Sequence, residues 1–272
     1  MYIRLLIVTF LFFATNSAST QSKISVCSWN LENFGKSKSD SVINFIANTV
    51  RDCDVVAMQE VVAGDGGAHA VSRLNDVLNR MGFNWDYAIS DPTISSSNNV
   101  VERYAFIWKT SKLTIVGKAL LEKKYNLKIE REPFLATFKN KGKLFTMVSF
   151  HAIPKSKQPE TEIKYLKFLP KEYPDKNLIF CGDFNCPQSH TVFNPLKSMG
   201  YKPTLIHQKT SLRQKCINDD CLASEYDNFF FNSSKISFIK SGVILFYKSF
   251  QTLKVARTVS DHVPIYFQFS LN

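Results

Sequence analysis

The sequence predicts a layered α/β protein in which helices cover sheets of mixed parallel and antiparallel strands. A strand–helix–strand alternation over residues 24–58, short apolar runs separated by turns in the middle of the chain, and a helical period returning before residue 178 carry that reading. The stretch KISVCSW supplies a strand at 24–29. From Ser39, an N-cap with Asp40 behind it, Ile43, Ile46, Ala47 and Val50 recur at helical spacing, and an apolar run at 55–58 reads as the next strand. Ala70, Leu74, Val77, Leu78 and Met81 mark a second helix. Runs at 104–108, 113–116, 134–138 and 144–150 are strands joined by short turns, which gives the middle an antiparallel character. A helix over about 160–169 precedes a strand at 178–181, and runs at 226–231 and 263–269 complete the set. No repeat, proline-rich linker or charge block divides residues 21–272, which read as one domain. The glycine-rich AGDGGAHA (63–70) lacks the Lys and Ser/Thr of a phosphate-binding loop and reads as a flexible connection.

With 272 residues, 44% apolar and 21% charged, the chain can bury a sizeable core, and collagen-like, low-complexity and wholly disordered classes are excluded. Its formal net charge of +11 favours polyanions such as nucleic acid or anionic headgroups. Residues 1–20 combine one positive charge at Arg4, an apolar run over 5–14 and small polar residues, the pattern of an export signal. That run is about half the ~20 residues a membrane helix needs, so no stable membrane insertion is expected. The mature protein is expected to be secreted, periplasmic or extracellular, and monomeric, with a charge of +10 once Arg4 is removed. Of the six cysteines, Cys27, Cys53 and Cys181 fall in or beside apolar runs and read as buried thiols. Cys186, Cys216 and Cys221 lie in polar sequence, and one disulfide is expected among them, its pairing open. Asn232-Ser233-Ser234 matches a glycosylation sequon, a short pattern that also arises by coincidence.

Residues able to bind metal or move protons recur where apolar runs begin or end. Asn30 follows ISVCSW, Glu60 follows VVAMQ, and His151 follows FTMVSF. Asp183 and Asn185 follow LIFCG, Asp227 opens YDNFFF's acidic start, and Asp261 and His262 precede VPIYF. Carboxylates and amides are hard oxygen donors suited to Mg²⁺, with Mn²⁺ or Ca²⁺ as supporting ions, whereas zinc would call for clustered His and Cys. Taken alone, each such residue reads more simply as a turn, a solvated face or a structural histidine.

Their order is more informative. W-N-L-E-N-F, Q-E, E-R-Y, F-H-A-I-P, G-D-F-N, E-Y-D-N and S-D-H-V-P-I follow one another over residues 29–265. In this the chain resembles the endonuclease/exonuclease/phosphatase superfamily, and within it most closely the deoxyribonuclease I family. The resemblance implies a four-layer α/β/β/α sandwich with two central mixed sheets and an active site at one edge. It also implies that Glu60 is the principal metal carboxylate, with Asn30 and Asp261 beside it. Asp183 and Asn185 would contact the scissile phosphate, a second cation or the attacking water. Asp227 would orient His262, Glu102 would partner His151, and Arg131 would contact phosphate. In-line attack on a phosphodiester concentrates negative charge on its oxygens, so fixed positive charge and two imidazoles suited to proton transfer answer a chemical need. The amides of Asn30 and Asn185 can bond without adding negative charge beside an anion.

The expectation is therefore a secreted, divalent-metal-dependent endonuclease with DNA as substrate, RNA being a second candidate, little sequence specificity and 5′-phosphate products. A secreted sphingomyelinase or other phosphodiesterase of the superfamily is the alternative; a noncatalytic polyanion binder is an alternative of a different class. Two departures bear on substrate. Pancreatic-type members place an arginine after Q-E-V and a tyrosine before E-R-Y in the DNA minor groove; here these positions are Val62 and Val100. The family's small two-cysteine loop is also missing from 109–130, while Lys123, Lys124, Lys128, Lys155 and Lys157 offer nonspecific phosphate contacts.

Overall fold

The computed structural model describes residues 22–95 and 101–272; the expected export signal and Val100 lie outside the described residues. The strands, in chain order, begin with β1 (Ile24–Phe34), β2 (Val55–Val62), β3 (Trp85–Ile89), β4 (Glu102–Lys109), β5 (Thr114–Ile115), β6 (Leu120–Leu121), β7 (Phe134–Asn140) and β8 (Lys143–His151). They continue with β9 (Leu178–Asp183), β10 (Tyr201–Pro203), β11 (Leu212–Ile217), β12 (Asp220–Leu222), β13 (Asp227–Asn232), β14 (Ile236–Val243) and β15 (Ile265–Leu271). The α-helices are α1 (Asp40–Val50), α2 (Asp65–Arg80), α3 (Glu160–Ile163), α4 (Leu169–Glu172), α5 (Asn194–Ser198) and α6 (Leu253–Ala256).

Two sheets form the centre. One runs β14-β15-β1-β2-β4-β3, and the other β10-β13-β9-β8-β7-β5 with β6 also against β7. Each holds one parallel pair, β1 with β2 and β8 with β9. A parallel pair needs a crossover, supplied by α1 in the first case and by the α3–α4 segment in the second. Alternation along the strands sorts the core into three layers. Val26, Val55, Phe106, Phe145, Ile179 and Phe229 meet between the sheets. Cys27, Val56 and Met58 face α1 and α2, while Val148, Phe180 and Phe230 face the helices on the other side. The arrangement is an α/β/β/α sandwich.

Two segments differ from the sequence expectation, and the one expected disulfide finds its pairing. AGDGGAHA is not a flexible connection, because Asp65 opens α2 within it. A Cβ at Gly67 would stand 1.9 Å from the Val62 carbonyl oxygen, so glycine lets this helix seat on the end of β2. The helix expected over 160–169 is broken into α3, a 3₁₀ turn at Leu166–Phe168 and α4. Its buried residues Ile163, Leu166 and Leu169 recur every three residues, the 3₁₀ period, and Pro170 cannot donate the bond that would continue an α-helix. Cys216 and Cys221 form a disulfide across the β11–β12 hairpin. Cys186, grouped with them in the sequence, is instead a buried thiol whose pKa burial pushes up to about 11.

Candidate active site

Both parallel pairs end at the same edge of the sandwich, and the polar residues that follow their apolar runs meet there. In the β8–β9 pair His151 stands opposite Asp183, and the antiparallel β13 places Asp227 opposite Asp183 from the other side. This register depends on Gly182, at φ 127°, where a Cβ would lie 2.0 Å from the Phe150 carbonyl oxygen. In the first sheet the β1–β2 register shifts after Asn30, and Glu60 takes φ 57°. Glu32, Asn33 and Asn185 also adopt left-handed φ values, so strained backbone gathers at this edge. Beneath it, buried Gln59 donates to Ser149 Oγ at 2.8 Å, tying the first sheet to the second.

Asp183 is the meeting point. Its Oδ2 lies 3.6 Å from His151 Nε2, 3.5 Å from His262 Nε2 and 3.2 Å from Asn30 Nδ2. Its Oδ1 accepts from Asn185 N at 2.9 Å. Each imidazole is held from behind by a carboxylate: His151 Nδ1 lies 3.0 Å from both Glu102 oxygens, and His262 Nδ1 lies 2.7 Å from Asp227 Oδ2. With Nδ1 engaged, both rings present Nε2 to the same space. Glu60 Oε1 stands 3.8 Å from His151 Nε2 and accepts from Asn30 Nδ2 at 2.9 Å. The Asn185 amide donates to Ala152 O at 3.0 Å. Burial disfavours the charged imidazole, yet Asp227 and Asp183 raise the His262 pKa well above 6.5. At His151 burial is likewise outweighed, by Glu102 and Asp183, and the pKa is raised.

Two of the residues named above, Arg131 and Asp261, are engaged with protein groups at this edge. Arg131 is buried and holds protein groups: Nε donates to His151 O at 3.1 Å, Nη2 to Ala152 O at 2.5 Å, and Nη1 faces Glu102 Oε2 at 3.4 Å. It secures the His151 segment and also lines the cleft. The Asp261 carboxylate pairs with Arg257 at 3.5 Å. It lies beside Glu32, whose pKa is raised by burial and then by the charge of Asp261. Of the five lysines considered for phosphate contact, Lys124 is paired with Glu172. Lys128 and Lys157 line a cavity beyond Arg131.

Several supporting residues lie inside the motifs without being marked by them as functional. The Tyr104 hydroxyl accepts from His151 N at 3.1 Å, and Trp29 Nε1 donates to His262 O at 2.7 Å. Ser260 Oγ donates to Asn30 O at 2.6 Å and accepts from His262 N at 2.9 Å, joining β1 to the S-D-H segment. The E-R-Y, W-N and S-D-H motifs contain these residues, but only the fold shows that they act through backbone contacts.

The donor set fits a hard divalent cation. Asp183, Asp227 and His262 offer ligand atoms within 4.8 Å of one another, and Asp227 Oδ1 is buried without a hydrogen-bond partner among the described residues. Glu60 adds a carboxylate at the mouth. Asn30 Oδ1 accepts from Glu32 N at 3.0 Å, and its amide N–H₂ faces Glu60 and Asp183. In this arrangement it bridges the two carboxylates.

Comparison with known proteins agrees with the fold and with the motif order. Residues 27–262 match the model of the Endonuclease/Exonuclease/phosphatase family. A deoxyribonuclease of Thioalkalivibrio sp. (strain K90mix) is 26% identical over 268 residues, covering 91% of this chain and 71% of its own. Human deoxyribonuclease gamma is 27% identical over 270 residues, covering 89% and 85%. Among solved structures, an endonuclease/exonuclease/phosphatase family protein from Bacteroides thetaiotaomicron superposes with a TM-score of 0.68 at 19% identity, over 93% of this chain and 99% of that one. At that identity the superposition speaks for the fold alone. A matched model spanning both His/carboxylate pairs, on the sandwich that brings them together, places this chain in the Endonuclease/Exonuclease/phosphatase family.

Proposed function

We propose that this protein is a secreted, divalent-metal-dependent endonuclease that hydrolyses DNA phosphodiester bonds by in-line attack of water. The observation that carries the reading is the convergence of His151 and His262 Nε2 on one oxygen of Asp183, each imidazole held by its own carboxylate. The two relatives named deoxyribonuclease support the choice of DNA. Residues 1–20 would direct export and 21–272 form the enzyme.

A phosphodiester lying across Asp183 has an imidazole near either end of the displacement. As the water oxygen bonds to phosphorus, its proton passes to one imidazole; as the P–O3′ bond breaks, the other gives its proton to the departing 3′-oxygen. The products are a 5′-phosphate and a 3′-hydroxyl. Asp227 and Glu102 hold the rings in the tautomer that presents Nε2 and stabilise the imidazolium form. Asn185 and Asn30 orient Asp183 and Glu60 through N–H donors. Mg²⁺, with Mn²⁺ or Ca²⁺ as supporting ions, would be held by Glu60 and Asp183 with the unpartnered Asp227 oxygen beside them, and would supply positive charge against the phosphate oxygens.

Purified protein incubated with supercoiled plasmid in Mg²⁺ should give nicked and linear forms with 5′-phosphate ends, and EDTA should abolish cleavage. Intact plasmid in Mg²⁺ and Mn²⁺ across acid, neutral and alkaline buffers would overturn the proposal. Phosphocholine release from sphingomyelin in the same preparation would then favour the sphingomyelinase alternative.

A further inference from the structure

We propose that the cavity beyond Arg131 is a subsite for an unpaired nucleobase, so that the enzyme selects single-stranded over duplex nucleic acid; this rests on the nuclease reading above. The cavity is a half-open cleft of about 650 Å³ and shares Arg131 with a smaller one of about 220 Å³ lined by Glu60 and Glu102. Arg131, the residue common to both, donates to His151 O and faces Glu102. The cavity's size lies within the ~300–1,000 Å³ typical of sites that enclose small organic ligands.

Its lining selects for a base rather than a phosphate. Ile94, Leu127, Ile153 and Pro154 provide apolar surface, and Leu127 is 89% exposed, an apolar side chain open to be covered by a flat ring. At the floor Glu162 is 4% exposed, its oxygens accepting from Glu130 N at 2.5 Å and Ile153 N at 2.9 Å. A phosphate pushed inward would meet this carboxylate, whereas a base presents an uncharged face and amino hydrogens. Lys128 and Lys157 stand exposed on the lining, where the backbone phosphates on either side of an inserted base would run. A base stacked and paired in a duplex cannot enter without being extruded, which costs energy that a single strand does not spend. Val62, exposed on the lining of the smaller cavity, offers a duplex no polar contact in compensation.

Two variants outside the catalytic machinery test the proposal: Thr161→Trp, which fills the cavity from its exposed side, and Leu127→Asp, which charges its wall at a solvent-facing position. Both are compared with the unaltered protein for plasmid nicking, for cleavage of a fluorescent single-stranded oligonucleotide, and for binding of that oligonucleotide in EDTA. Loss of the base's apolar contact with this wall predicts about a tenfold weakening of single-strand binding and cleavage in each variant, with plasmid nicking within about twofold of the parent. An oligonucleotide carrying one abasic site should bind the parent as weakly as the intact oligonucleotide binds the variants. Equal single-strand affinity in parent and variants overturns the subsite whether or not any DNA is cut. A parent that cuts nothing yet shows the predicted binding differences overturns the nuclease reading and leaves the base-binding cavity standing. Loss of binding to sphingomyelin vesicles in Leu127→Asp with oligonucleotide affinity unchanged would assign the apolar wall to lipid and overturn the proposal.

Discussion

Asp183 and His262 show how burial and charge divide the work at single residues. Moving an imidazole out of water disfavours its proton, yet Asp227 and Asp183 together reverse that effect. The folded protein therefore binds the His262 proton more tightly than an unfolded chain, whose imidazole titrates near 6.5. The stabilisation this gives is complete below that value and is lost as pH rises through the higher folded pKa. Thermal melts in EDTA from about pH 6 to 9 should show the midpoint falling with pH, and less steeply in His262→Gln; parallel slopes would contradict the reversal. Arg131 offers a second test at this scale. Its guanidinium serves two carbonyls and Glu102, all buried, so Arg131→Met should cost about 3 kcal/mol in urea unfolding, as expected when one partner of a buried charge pair is removed. A loss under about 0.5 kcal/mol, the scatter of ordinary surface substitutions, would mean that these contacts contribute little.

At the scale of elements, two glycines set the geometry that the side chains of the proposed site inherit. Gly182 lets β9 lie against β8 so that Asp183 faces His151, and Gly67 seats α2 on the strand that ends in Glu60 and Val62. Gly182→Ala meets both a left-handed backbone and a carbonyl in the path of the new methyl group. It should destabilise the protein by more than about 2 kcal/mol in urea unfolding and lower plasmid cleavage with it, whereas a neutral effect would show that the strands can part without cost. These elements were unequally legible in the sequence. The α1 helix announces itself through Ser39, which caps Val42 N, and through a 3.6-residue apolar period. The strands before Asn30, Glu60, His151 and Asp183 are marked by runs of β-branched and aromatic residues. AGDGGAHA hid a helix start because glycine chosen for close packing looks the same as glycine chosen for freedom. The Ile163–Leu166–Leu169 spacing was visible, but a period of three passes for a helical one until Pro170 is considered.

Across the whole molecule, residues 230 or more positions apart meet because β15 returns antiparallel to β1. Motif order carried the identity of the convergent groups; it could not carry their orientation. That Asn30 turns its N–H₂ to the carboxylates, that Arg131 is committed to protein carbonyls and that Asp261 pairs with Arg257 depend on backbone contacts made only in the folded chain. The formal charge of +11 acts at the same scale. If it recruits DNA, cleavage under subsaturating substrate should fall at least about tenfold between ~50 and ~200 mM salt through counterion release, and a flat response would remove charge from the account of binding. The most direct test of the central claim is plasmid-nicking kcat/KM in Asp183→Asn, a near-isosteric change at the oxygen both imidazoles face. A fall of at least about a thousandfold, with the melting behaviour of a folded protein retained, is the result predicted for a group shared by proton transfer and phosphate binding. Activity within about tenfold of the parent, a change of ~1.4 kcal/mol in the barrier, would place the chemistry elsewhere.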